Sequence, residues 1–183
     1  MGTVLNDQRW LDMCNKYESD WSSMAKDLFG LTFTDSQLQI IKLAQDGELG
    51  RNSVKEDDIS DDSLIAIVLC HVLTKPKSLA LVVSYMPNVI SFTVFSAMKP
   101  HWLAAVSKYP WLEQYFRLTS KEFYERENKI YWGSKVIRGH VESVAGYYSE
   151  NMLCIVFTPS ISQAVIESVA ASFSGESENM LLI

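Results

Sequence analysis

Arg51-Asn52-Ser53-Val54-Lys55 runs into Glu56-Asp57-Asp58-Ile59-Ser60-Asp61-Asp62-Ser63, and from Leu64 to Leu73 the chain is largely apolar. Five of the eight residues from Glu56 to Ser63 are carboxylates. The order is that of a short strand, an acidic loop and a helix. In such a unit a glycine-rich loop can cradle phosphate with its backbone N–H groups while a lysine neutralises the charge. Here there is neither a glycine nor a Gly-Lys pair, and the local charge is negative. Lys55 is the nearest lysine and precedes the loop.

Working outward, Asp61, Asp62 and Ser63 suit a helix N-terminus, where carboxylates and hydroxyls meet free N–H groups. The helix predicted over 61–74 is apolar on every side, so it belongs in the interior. Lys75-Pro76-Lys77 stops it. Leu79 to Tyr85 and Met152 to Phe157 are continuous apolar runs of strand length, the pattern of parallel strands covered on both faces. Met180 to Ile183 starts a further apolar strand. Between them, Pro87 opens a helix through Met98 that Lys99-Pro100 breaks or kinks before it resumes to Lys108, and Ser160 to Phe173 is amphipathic. Arg117 to Tyr124 and Lys129 to Ile137 read as paired strands joined at Glu125–Asn128, with Ile130 and Trp132 on one face.

Upstream, Asp7 to Phe29 reads as one helix ending at Gly30. Thr34-Asp35-Ser36-Gln37 is a capping box before a second helix. Strands alternating with helices predict an α/β layered domain with a mostly parallel sheet. We expect one domain over 1–183, with a helical N-terminal segment at 1–47 and an α/β core at 48–183.

The 183 residues carry a net charge of −6 and are 48% apolar. That balance argues against broad nucleic-acid binding, which needs a basic face. Cys14, Cys70 and Cys154 form no CxxC pair, and the sequence predicts buried, reduced thiols. No signal peptide is expected from MGTVLNDQRW, and Asn6 breaks the myristoylation pattern. No segment is expected to reach the roughly 18 to 20 apolar residues of a membrane span, so no membrane partner is expected.

Several short strings recur in a shared order. They are Asp27-Leu28-Phe29-Gly30, then Thr34-Asp35-Ser36-Gln37 before a helix ending in Gln45-Asp46-Gly47, and Leu73-Thr74-Lys75-Pro76 before an apolar strand. Gly146-Tyr147-Tyr148 before Glu150-Asn151-Met152-Leu153 and Ser174-Gly175 before Asn179-Met180-Leu181-Leu182-Ile183 complete the set. Together they resemble the N-terminal ATPase domain of viral terminase large subunits, the motors that package DNA into phage capsids.

The resemblance implies a three-layer P-loop-NTPase-like fold. Gln37 then matches the family's adenine-contacting glutamine, although without an intact site the residue reads first as a surface or capping glutamine. The phosphate-loop pattern G-x-x-x-x-G-K-[ST] falls on Glu56 to Ser63: Glu56 and Asp61 stand for its glycines, Asp62 for its lysine, and Ser63 alone survives. At ~4 Å and an effective dielectric of about 20, exchanging lysine for aspartate changes a phosphate contact by several kcal/mol before screening. The strand Met152–Phe157 matches the family's Walker B strand. Phe157 and Thr158 occupy the places of its magnesium-binding aspartate and water-activating glutamate, and neither can do that work. The sequence also ends about where the family's coupling motif begins, without a nuclease domain.

What the resemblance implies is therefore a pseudo-ATPase with no cofactor and no catalytic residues. It would be phage- or prophage-encoded, reside in the host cytoplasm, and act on a protein partner such as a viral packaging motor. A residual ATP-binding subunit and a DNA-binding structural module are the alternatives.

Other chemistry is weaker. No EF-hand glycine follows the acidic residues. His71, His101 and His140 are scattered, so no metal is expected, and there is no G-x-S-x-G elbow. Arg138-Gly139-His140 reads as a turn. The tryptophans read as core, with Trp10 and Trp21 becoming interface candidates if exposed.

Overall fold

The structure is a computed structural model that describes residues 3–55, 58–173 and 178–183. The N-terminal stretch is two helices and a π turn rather than the single helix expected over 7–29. α1 spans Gln8–Tyr17, α2 spans Trp21–Met24, and the wider turn Ala25–Phe29 ends at Gly30 with φ 70°. The break has a local cause. Asp20 leaves helical geometry, and its carboxylate accepts the Ser23 N–H, which starts a new helix. The break also lets two indoles reach one helix end: Trp10 donates to the Leu73 carbonyl at 2.9 Å and Trp21 to Thr74 Oγ1 at 3.1 Å. Both are buried, which makes them core and not interface anchors.

α3 spans Asp35–Asp46 with the expected capping box at Thr34 and Gln37, and Gly47 at φ 75° closes it. β1 spans Gly50–Ser53. α4 spans Asp61–Thr74, as the sequence predicts, and all but its first two residues are buried. β2 (Ser78–Ser84) and β6 (Asn151–Val156) are buried nearly throughout. Between them lie α5 (Pro87–Lys108), α6 (Leu112–Tyr115), β3 (Phe116–Leu118), β4 (Glu122–Glu125), β5 (Gly133–Arg138) and α7 (Val141–Val144). α8 (Gln163–Ala170) and β7 (Asn179–Leu182) follow.

Two expectations change here. α5 runs unbroken past Pro100, which lies on the exposed side with Ser96, the residue whose carbonyl it leaves without its usual helical donor. Residues 129–132 are a turn and not a strand. The buried Glu125 carboxylate gathers the Asn128 N–H at 2.9 Å and the Asn128 side-chain amide at 2.7 Å. The turn then sends Ile130 into solvent while Trp132 is buried and donates to the Val72 carbonyl at 2.8 Å.

The described strands form a seven-stranded sheet in the order β1-β7-β6-β2-β5-β4-β3. The first five run parallel, and at one edge β4 pairs antiparallel with β5 and β3 antiparallel with β4. Alternate strand residues feed two cores. Ala80, Val82, Leu153, Ile155 and Leu181 pack with the N-terminal helices, α4 and α5. Leu79, Leu81, Val83, Cys154 and Met180 pack on the opposite side with α7 and α8. Period-two alternation thus builds three layers, helix on sheet on helix, an arrangement consistent with a P-loop-like fold. The three cysteines are buried and free. Burial pushes the Cys14 thiol up to about 12, so it is inert near neutral pH.

Candidate functional site

In an open parallel sheet, ligands bind outside the carboxyl ends of the strands. Here a row of backbone hydrogen bonds continues the ladder from one strand end to the next along that edge. Val54 donates to the Leu182 carbonyl at 2.9 Å, Ile183 to Val156 at 2.9 Å, Phe157 to Val83 at 3.0 Å, and Gly139 to Ser84 at 2.9 Å. This places Val54, Phe157 and Ile183 at strand ends along one edge, with Thr158 next in sequence to Phe157.

At the first cluster, Glu56 lies outside the described residues. The Asp58 N–H donates to the Lys55 carbonyl at 2.9 Å, just before α4. Asp61 and Asp62 occupy the first turn of α4, both exposed. Ser63 is fully buried. Its N–H donates to Ser60 Oγ at 3.2 Å, its hydroxyl donates to the Ser60 carbonyl at 2.8 Å, and the Ser60 N–H donates to Ser63 Oγ at 2.9 Å. Two of the N–H donors at this helix start, those of Ser60 and Ser63, are therefore taken by a neighbouring side chain. Asp62 Oδ1 sits 3.8 Å from His101 Nε2 on α5, while His101 Nδ1 donates to the Phe29 carbonyl at 3.0 Å.

At the second cluster, Phe157 and Thr158 follow β6, both half-buried. Thr158 donates twice to the Ile183 carbonyl, from its N–H at 2.6 Å and from its hydroxyl at 2.8 Å. That fixes the β6 and β7 ends together and leaves neither donor for a ligand. Among the described residues, no three His, Cys, Asp or Glu side chains converge as a metal site.

Gln37 sits on α3, where its Oε1 accepts the Thr34 N–H at 3.1 Å, the capping role. Its neighbours, Ser36, Gln39, Ile40 and Leu43, line a cleft of about 470 Å³ whose other wall is Ser53, Val54, Lys55 and Asp58. Sequence reading missed this cleft and the cap residue Ser60. Ser60-x-x-Ser63 was the available signal for the cap, whereas a wall shared between α3 and the end of β1 leaves no local trace. Elsewhere on the edge, Arg138 is exposed, and Lys135 is half-buried with its ammonium 5.1 Å from the Tyr147 ring centre. Burial lowers the Lys135 pKa.

No protein-family model matches the chain. A curated relative, the probable terminase large subunit of Enterobacteria phage P7, is 27% identical over 186 residues. The chain is similar to a terminase large subunit. That similarity takes in 99% of this chain, so the acidic loop and the end of β6 both fall within it, and the chain spans 38% of the relative's length.

Proposed function

We propose that this chain is a terminase-like pseudo-ATPase that takes part in phage DNA packaging through contact with another protein and not through hydrolysis. The observation that carries the reading is the closed start of α4. Ser63, the one residue of Glu56 to Ser63 that fits a phosphate-loop pattern, is buried against Ser60, with the Asp61 and Asp62 carboxylates outside it. Phosphate approaching that helix start would meet two like charges and an occupied N–H. Thr158, bonded to the Ile183 carbonyl, stands where a water-activating carboxylate would be needed. The likeness to a terminase large subunit over nearly the whole chain supports the packaging context, with a viral packaging protein as partner in the host cytoplasm.

Calorimetric titration with Mg-ATP tests the reading. We expect no saturable heat in the low millimolar range and no phosphate release above the buffer rate. Saturable binding with turnover would sink it.

A second reading, a chain that retains nucleotide binding, draws on the cleft of about 470 Å³ between α3 and Lys55. The same titration separates the two, since binding lost on Lys55→Ala would favour the nucleotide binder. Against a DNA-binding module stands the half-buried, ring-covered Lys135, which leaves Arg138 as the exposed cation of that pair.

A further inference from the structure

α5 is a surface helix that carries large apolar side chains on its outward face as well as its inward one. Among the described residues it alone is long and apolar enough to cross a membrane by length and composition, although the sequence holds no continuous run of that kind. Serine, threonine, lysine and proline interrupt the run without offsetting its average. Its inward face, Phe95, Met98, Trp102 and Ala105, is packed in the core. Its outward face presents Val89, Phe92 and Leu103 at helical spacing, preceded by Tyr85 and Met86, and each is more than half exposed, Phe92 at 69%. An apolar stripe of this kind, rimmed by polar groups, marks a binding surface.

Three clefts lie along this helix and share walls. Arg138 closes the one beside Met86 and Val89, of about 380 Å³. Pro87 and Asn88 carry over into the next, beside Phe92 and Lys121, of about 370 Å³. Ser120 carries over into the third, beside Lys99 and Leu103, again of about 370 Å³. The groove begins at the carboxyl edge of the sheet and runs to Leu103, about 24 Å at 1.5 Å per residue.

Its charge is opposite to that of the rest of the chain. Residues 85–148 hold eight Lys and Arg against five Glu, whereas the remaining residues hold eight against seventeen Asp and Glu. α5 itself has no acidic residue, and each of the three clefts has a cation in its wall: Arg138, Lys121 or Lys99. Glu113 is the one carboxylate lining them, at the far end.

We infer that this groove receives an acidic amphipathic helix of about four turns from a partner protein. The partner's apolar residues at i, i+3 and i+14 lie over Val89, Phe92 and Leu103, and its carboxylates face Arg138, Lys121 and Lys99. The inference rests on the reading that the chain works through protein contact, and it names the surface and the chemistry of the partner.

The test uses the full chain and a displayed library of helical peptides about four turns long, with charged positions randomised. The expected binders are enriched in Asp and Glu over Lys and Arg, and lose affinity roughly tenfold with Phe92→Glu and again with paired Lys121→Glu and Arg138→Glu. All three positions are exposed, so unchanged melting temperatures confirm that these variants fold. No binder, binders without acidic bias, or binders indifferent to Phe92→Glu overturn the inference. So does a stronger Phe92-dependent interaction with single-stranded DNA, with anionic vesicles, or with a second copy of the chain. Mg-ATP binding is measured separately, so a groove that fails on a chain that binds no nucleotide counts against this inference alone.

Discussion

Ser60 and Ser63 satisfy one another at the start of α4. The Ser60 N–H donates to Ser63 Oγ at 2.9 Å, and the Ser63 N–H donates to Ser60 Oγ at 3.2 Å. A helix start with free N–H groups is a ready anion site, and a reciprocal cap takes up two of those donors while stabilising the helix. The same pair therefore caps the most buried helix.

Ser60→Ala removes the acceptor for the Ser63 N–H. It should lower stability by about 1 kcal/mol, the usual effect of losing such a cap. Urea denaturation reads this as a lower midpoint at unchanged slope. A midpoint equal to that of the parent chain would show that the helix start is held by the packing of Leu64 and Ile65 alone.

Melting in Mg-ATP should leave the midpoint unmoved. A ligand bound with a dissociation constant of about 1 mM and supplied at about 5 mM would add roughly 1 kcal/mol, a shift of a few degrees for a domain of this size. A shift of that size, absent with Mg-ADP or inorganic phosphate, would falsify the pseudo-ATPase reading.

His71 is wholly buried on α4. Its Nε2 donates to the Asn151 carbonyl at 3.0 Å, and its Nδ1 has no partner among the described residues. Burial, and secondarily the Lys75 charge, lower its pKa from 6.5 to about 3. The unfolded chain therefore takes up a proton that the folded chain refuses, so this contribution is fully present above pH 6.5 and is lost as pH falls toward 3. The slope it adds reaches at most about 1.4 kcal/mol per pH unit. His71→Gln, which keeps a donor for the Asn151 carbonyl, should flatten the acid limb of stability against pH relative to the parent. Parallel curves for the two proteins would refute the assignment.

Gly133 opens β5 where a Cβ would lie 2.5 Å from the Phe123 carbonyl oxygen and 2.9 Å from Tyr124 Cα, both backbone atoms of β4. At Gly139 the nearest obstacle is Ile161 Cδ1, the far end of a side chain. Gly133→Ala should therefore destabilise by about 2 to 3 kcal/mol, the range of core overpacking. Gly139→Ala should cost less, because Ile161 can rotate. Thermal melts of the two variants, compared side by side, check the order, and equal losses would show that β4 yields as easily as a side chain.

The residues themselves specified whatever depends on short-range chemistry. The bounds of α4 follow from Ser60 to Ser63 at one end and Lys75-Pro76 at the other, and α3 follows from Thr34 and Gln37. The continuous apolar runs of β2 and β6 required helices on both faces, and the missing Gly-Lys pair could be read letter by letter. The tertiary structure decided what depends on partners far along the chain. Residues 129–132 alternate like a strand, yet they turn because Glu125 collects the Asn128 N–H and Trp132 finds the Val72 carbonyl. The stretch from Asp7 to Phe29 is apolar at helical spacing, yet it breaks at Asp20 so that Trp10 and Trp21 both reach the end of α4. Pro100 reads as a break, yet packing of Phe95, Met98 and Trp102 on either side carries α5 through it. Burial and long-range hydrogen bonds outweighed local propensity at each of these places. They also left one outward apolar face, on α5, whose exposure no pattern in the sequence could show.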